Sequence, residues 1–137
     1  MTYDDAFQKL LDDGVLVVPP KDAVFDFVDA ILDDKPKLAF QLYQECIDVG
    51  EAVLVMITNL YNSAKAVLQV QACQSKDVSK ATGLTGWQIQ NARKHINVYR
   101  NGELIYIMEL CQQAEKGIKT GTMSDTYAMQ YIMLNVM

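Results

Sequence analysis

Histidine is almost missing from this chain: His95 is the only one among 137 residues. A metal centre is therefore disfavoured, and His95 has no partner at a spacing that would define a catalytic pair, so it reads as a polar surface residue. Cysteine is sparse too. Cys46, Cys73 and Cys111 stand far apart without a C-x-x-C pair, and an odd number cannot pair fully within one chain. Each falls inside a predicted helix, which makes them small buried hydrophobes in a reducing compartment. No apolar stretch approaches the roughly 18 to 20 residues that cross a bilayer. The N-terminus carries Asp4 and Asp5 where a signal peptide would carry basic residues. These absences predict a cytoplasmic protein with no membrane contact. No residue pattern calls for a cofactor, so none is expected.

What the chain does have is apolar surface to bury. Half of its residues are apolar or aromatic, enough for one core and one main domain at this length. The net charge of −5 is unevenly spread. Residues 1–34 hold nine Asp against two Lys, whereas residues 65–100 hold six Lys or Arg against one Asp. The basic stretch includes Lys76, Lys80, Arg93, Lys94 and Arg100, candidates for lying near nucleic-acid phosphates, although a solvated helix face is the commoner origin of such a cluster.

Apolar residues recur at helical spacing through nearly every long segment, which predicts an all-α bundle of about six to eight helices. Only Val15 to Val18 reads as a short strand, closed by Pro19 and Pro20. Residues 1–21 are expected to be a linker or N-terminal helix, or the end of a preceding domain, with a helical domain over 22–137. Asp22 suits the N-cap of a helix through Leu32, with Val24, Phe25, Val28, Ile31 and Leu32 on one face and Asp26, Asp29 and Asp33 solvated on the other. Pro36 suits a helix start and Gly50 its end, with Leu38, Leu42, Tyr43 and Cys46 facing inward. A long helix from about Glu51 to Ser75 would form the spine. Asn101-Gly102 marks a turn, and Leu104, Ile107, Met108, Cys111, Ala114 and Ile118 line the next helix. The last segment, Tyr127 to Met137, is apolar almost all round, so it needs cover on two sides.

Residues 76–98 read as a helix-turn-helix: a short helix, a Gly83-Leu84 turn, and a second helix opened by Thr85, with Gln88 completing a capping box. In a DNA-reading version Gln88, Asn91 and Lys94 would face base edges. The same turn also joins helices in proteins that never touch DNA. Trp87 is offset from the stripe of Ile89, Ala92, Ile96 and Tyr99; core packing is the first expectation for it and an interface anchor the second. Residues 117–122 superficially suggest a phosphate loop, but the required spacing and a preceding strand are absent, and a helix end followed by a turn explains them better.

Taken in order, several segments resemble the C-terminal domain of bacterial DNA polymerase III delta subunits. Val24-Phe25-Asp26-Phe27-Val28-Asp29-Ala30-Ile31 is similar to the family's opening. Lys37 to Leu42, Leu68-Gln69-Val70-Gln71, the Gly83-Leu84 turn, and Ala114-Glu115-Lys116-Gly117-Ile118-Lys119-Thr120-Gly121 follow in the family's order. The likeness covers residues from Val24 onward; Glu115 stands where the family often has Asp, and the Trp87 site usually carries a smaller or different residue. The resemblance implies a non-catalytic collar domain of the clamp loader. Its partners would be the homologous gamma/tau and delta-prime subunits, the sliding clamp being gripped by an N-terminal region not in this sequence. It also implies that the apolar C-terminal helix meets a neighbour, making Trp87, Tyr127, Met129, Tyr131, Met133 and Val136 candidate interface residues. DNA contact would then be non-specific. A base-reading module at 76–98 is the alternative.

Overall fold

A computed structural model describes residues 23–136 of the chain. Among them are seven helices and no strand: α1 (Ala23–Leu32), α2 (Pro36–Asp48), α3 (Val53–Ala72), α4 (Val78–Thr82), α5 (Gly86–Arg93), α6 (Asn101–Thr120) and α7 (Asp125–Val136). The all-helical expectation is met. The readings for 1–21, the Asp22 cap and the Val15 to Val18 strand lie outside the described residues.

The helix ends follow from local chemistry. Pro36 opens α2, where its missing N–H costs nothing. Gly50, at φ 86°, closes it: its N–H donates to the Ile47 carbonyl at 3.0 Å and the Glu51 N–H to that of Cys46 at 2.9 Å. This left-handed stop satisfies two carbonyls that the helix leaves free. The same stop ends α1 at Asp34, the one non-glycine residue with positive φ among those described, with the Lys35 N–H on Ala30 at 2.9 Å. Aspartate is among the residues that tolerate this conformation.

Helices α3 and α6 each have 20 residues, about 30 Å of length, and they pack along each other as the spine. Helix α7 lies against both, α5 lies against α3, and α1 bridges α2 and α3. The core draws Phe27, Ile31 and Leu32 from α1, Met56, Ile57 and Leu60 from α3, Leu104, Ile107 and Leu110 from α6, and Met129, Ile132 and Met133 from α7. All are inaccessible to water, so the burial of large side chains from four helices supplies the main stabilising term.

Three local expectations are corrected. The spine helix is shorter than Glu51 to Ser75, because Ala52 and Cys73 both take extended backbone. Asn101-Gly102 is no turn but the first two residues of α6: the Glu103 carboxylate accepts the Arg100 N–H at 3.0 Å and places an anion at the helix start. In α2, Leu38 is exposed and Ala39 takes the inward place beside Cys46, since this helix packs mainly on α1 and buries only a narrow stripe.

The capping box is present as read. The Thr85 hydroxyl accepts the Gln88 N–H at 3.2 Å, and the Gln88 carbonyl oxygen accepts the Thr85 N–H at 2.9 Å. Thr85→Ala removes one half of it and is expected to lower stability by about 1 kcal/mol, measured as a shift in the urea midpoint at constant slope.

Candidate functional site

The helix end expected near residues 117–122 is the end of α6. Gly117 is buried there against the Met123 side chain: a Cβ on Gly117 would lie 2.5 Å from Met123 Cγ, while the Met123 N–H donates to the Gly117 carbonyl at 3.0 Å. Gly121, at φ 77°, stops the helix. These glycines turn the chain tightly from α6 into α7 and hold no phosphate-loop geometry. Lys119 pairs with Glu115 at 2.6 Å across one helical turn, an exposed pair that supports the helix only weakly.

Helix α7 divides its surface. Ala128, Met129, Ile132 and Met133 are fully buried, while Tyr127 and Leu134 are 56% and 72% exposed. Met129 and Met133 are therefore corrected from interface candidates to core residues: they point into the seam that α7 makes with α3 and α6. Tyr131 and Val136 are half-buried and pack at the edge of that core. The Tyr127 and Tyr131 rings lie nearly parallel with centroids 6.4 Å apart. Tyr131 donates its hydroxyl to Gln113 at 2.7 Å. On α6, Ile105 and Tyr106 are also about half exposed, and the Tyr106 hydroxyl reaches Asn135 of α7 at 3.5 Å. The result is an aromatic and aliphatic surface spread over α6 and α7, with hydroxyl and carboxamide groups interspersed. Such a composition suits a protein contact, where an apolar centre with polar edges is the usual anatomy. Spacing did not single out Ile105, Tyr106 and Leu134, because they alternate with core residues on the same helices.

Trp87 is not in that surface. It projects from the first turn of α5, is 61% exposed, and meets Phe25 of α1 edge-on at 5.9 Å. Core packing, the first expectation for it, is thereby corrected. The two rings stand at one side of a cleft of about 190 Å³ between α1, α3 and α5, lined also by Asn59, Asn62, Asn91 and His95. This is below the roughly 300 to 1,000 Å³ of ordinary small-molecule pockets.

His95 overturns its reading as a surface residue: only 2% of it is exposed. Its Nδ1 lies 2.7 Å from Asp33 and its Nε2 3.1 Å from Asp29. Helix α5 stops at Arg93, so the following turn carries the imidazole inward instead of continuing a solvent-facing helix. Asp29 and Asp33 are correspondingly not free solvated charges. Burial alone would pull the imidazole pKa down, but hydrogen bonds and charge from the two carboxylates outweigh it and hold it above the usual 6.5.

The basic candidates are only partly gathered. Lys76 and Arg93 line one open groove between α4 and α5, together with Ser79 and Gln90. Lys80 and Lys94 are exposed on neighbouring positions. Arg100 lies apart, at the start of α6, in a groove shared with Gln71 and Glu103. Of the proposed base-reading residues, Gln88 spends its carbonyl on the Thr85 cap and Asn91 lines the Trp87 cleft.

The thiols are unsuited to nucleophilic work. Burial, then Glu51, Glu45 and Asp26, pushes Cys46 up to about 11, and burial with Glu115 pushes Cys111 up to about 12. Both stay protonated near neutrality. Cys73 is half-buried, less deeply placed than a small core residue would be. Among the described residues no group of His, Cys, Asp and Glu could hold a metal ion, and no helix is long and apolar enough to cross a membrane.

Residues 21–136 match the family described as DNA polymerase III delta subunit, C-terminal domain. No curated protein matches the sequence. The fold is similar to that of the Bacillus subtilis DNA clamp loader delta protein YqeN, with a TM-score of 0.75 at 16% identity. That alignment covers 92% of this chain and 39% of YqeN. At such identity the likeness shows a shared fold.

Proposed function

Because the chain belongs to the family formed by the C-terminal domain of DNA polymerase III delta, we propose that it is the collar of a clamp-loader delta subunit, joining that subunit to its homologous neighbours during loading of the sliding clamp. The domain is a non-catalytic accessory domain of the clamp loader. The observation that carries the assembly role is the exposed side of α7, where Tyr127 and Leu134 remain uncovered although the opposite side of the same helix is fully buried. A surface of this kind gains stability when a partner removes it from water. The partners proposed are the gamma/tau and delta-prime subunits, in the cytoplasm. Clamp opening and membership of the polymerase III holoenzyme would belong to the parent subunit.

Mixing the full chain with purified cognate gamma/tau and delta-prime subunits tests this reading by gel filtration. Co-elution at micromolar concentration is the expected result, and separate elution of all components would refute it.

Contact with DNA is proposed only as a non-specific one at the Lys76 and Arg93 groove. Two bridged phosphates would give a salt dependence of log affinity with slope near −2, about −0.9 per phosphate, and equal affinity for unrelated duplexes. A strong preference for one duplex sequence in a shift assay would restore the base-reading alternative.

A further inference from the structure

Side chains of α5 and of the segment that follows it reach across to helix α1. Phe25 meets Trp87, the Tyr99 hydroxyl donates to the Ile31 carbonyl at 2.8 Å, and His95 reaches both Asp29 and Asp33. We propose that His95 is a proton-operated latch: its imidazolium, held between Asp29 and Asp33, keeps α1 docked beside α5, and loss of the proton releases that joint and opens the Trp87 cleft.

The geometry suits the charged ring, which offers an N–H to each carboxylate. An ionised carboxylate only accepts hydrogen bonds, and a neutral imidazole carries a single N–H. With a carboxylate oxygen at hydrogen-bond distance from each ring nitrogen, deprotonation leaves one nitrogen lone pair facing an anion. It also leaves Asp29 on α1 and Asp33 just past its end, four residues apart, repelling each other without a cation between them.

No other charge on the packed elements takes over. Helix α3 offers Asn59, Asn62 and Ser63 to the cleft, and α5 offers Gln88 and Asn91, all uncharged. Arg93 and Lys94, next to His95 in the chain, are exposed and make no ion pair among the described residues. Tyr99, raised to about 12 by burial and then by Asp34, Glu103 and Asp33, keeps its proton. Asp34 itself is exposed at the end of α1.

The direction of the effect follows. A histidine whose folded pKa is raised contributes stability that is fully present below its unfolded value, 6.5, and that is lost as pH rises through the folded value. The latch therefore lets go as pH rises above 6.5 through the raised folded value.

Two features of the full chain make this testable without labels. His95 is the only histidine and Trp87 the only tryptophan, so one imidazole resonance and one indole emission report on two separate contacts across the joint. The expected result is an imidazole that titrates above 6.5, with Trp87 emission and its quenching by acrylamide moving at the same midpoint. His95→Gln should leave Trp87 emission flat between about pH 6 and pH 8. Asp33→Asn, which keeps shape and removes one anion, should lower the imidazole midpoint by about one unit and carry the Trp87 transition down with it. An imidazole midpoint at or below the unperturbed value, or a Trp87 transition that persists in His95→Gln, overturns the proposal. Should His95→Gln fail to fold, the paired shift in Asp33→Asn decides the matter alone.

Discussion

Leu134→Asp is expected to weaken binding of the chain to the clamp-loader partners proposed for it by about 30-fold or more, corresponding to the roughly 2 kcal/mol that defines an interface hot spot. The leucine is 72% exposed, so nothing in the isolated domain depends on it, and stability in urea should change by no more than about 0.5 kcal/mol. Within a contact, however, the aspartate would place an unpaired charge in a desolvated centre. Tyr127→Ala is expected to act in the same direction, since its ring is 56% exposed and stacks only on Tyr131. The matched comparison is Met133→Ala on the same helix. Met133 is fully buried, so this change should cost about 2 to 5 kcal/mol in folding while leaving the exposed side of α7 chemically unaltered. Isothermal titration with each variant separates the two outcomes. Undiminished binding by Leu134→Asp would move the assembly surface away from α7.

Phe27→Ala carries the largest stability loss expected in the protein, about 3 to 5 kcal/mol. Phe27 is inaccessible to water, and its ring lies 6.2 Å from that of Tyr43 on α2. It fills the space where α1 meets its neighbours, and an alanine would leave a cavity that rigid helices cannot close. Against a typical total of about 5 to 15 kcal/mol, such a loss brings the domain close to unfolding at moderate temperature. Phe40→Ala on α2 serves as the control: that ring is 42% exposed, and its removal should shift the urea midpoint little.

The helical architecture is readable in the sequence because periodicity is a property of neighbouring residues. Leu104, Ile107, Cys111 and Ala114 lie on the buried face of α6 as their spacing requires. Pro36, Gly50 and Thr85 mark helix ends through short-range chemistry, and all three do so in the structure. Spacing fails where distant segments decide. The partners of His95 lie 62 and 66 residues away, a relation that no spacing rule contains. Hydrophobicity alone assigns Trp87 to the core, yet α5 presents Ile89 and Ala92 inward and leaves the indole at the rim with Phe25. The division of α7 into a buried side with Met129 and Met133 and an open side with Tyr127 and Leu134 is equally invisible, because an almost uniformly apolar helix has no preferred face of its own. Only packing against α3 and α6 chooses one.

The same packing gives the chain an internal clock for its own opening. Cys46 on α2 and Cys111 on α6 are enclosed, with thiols held near about 11 and about 12, while Cys73 at the end of α3 is half-open. An alkylating reagent should therefore modify Cys73 from the native state and the other two only when their surroundings part. Comparing the modification rates at Cys46 and Cys111 would then reveal whether the α2 edge detaches ahead of the central spine or the whole bundle comes apart in one step.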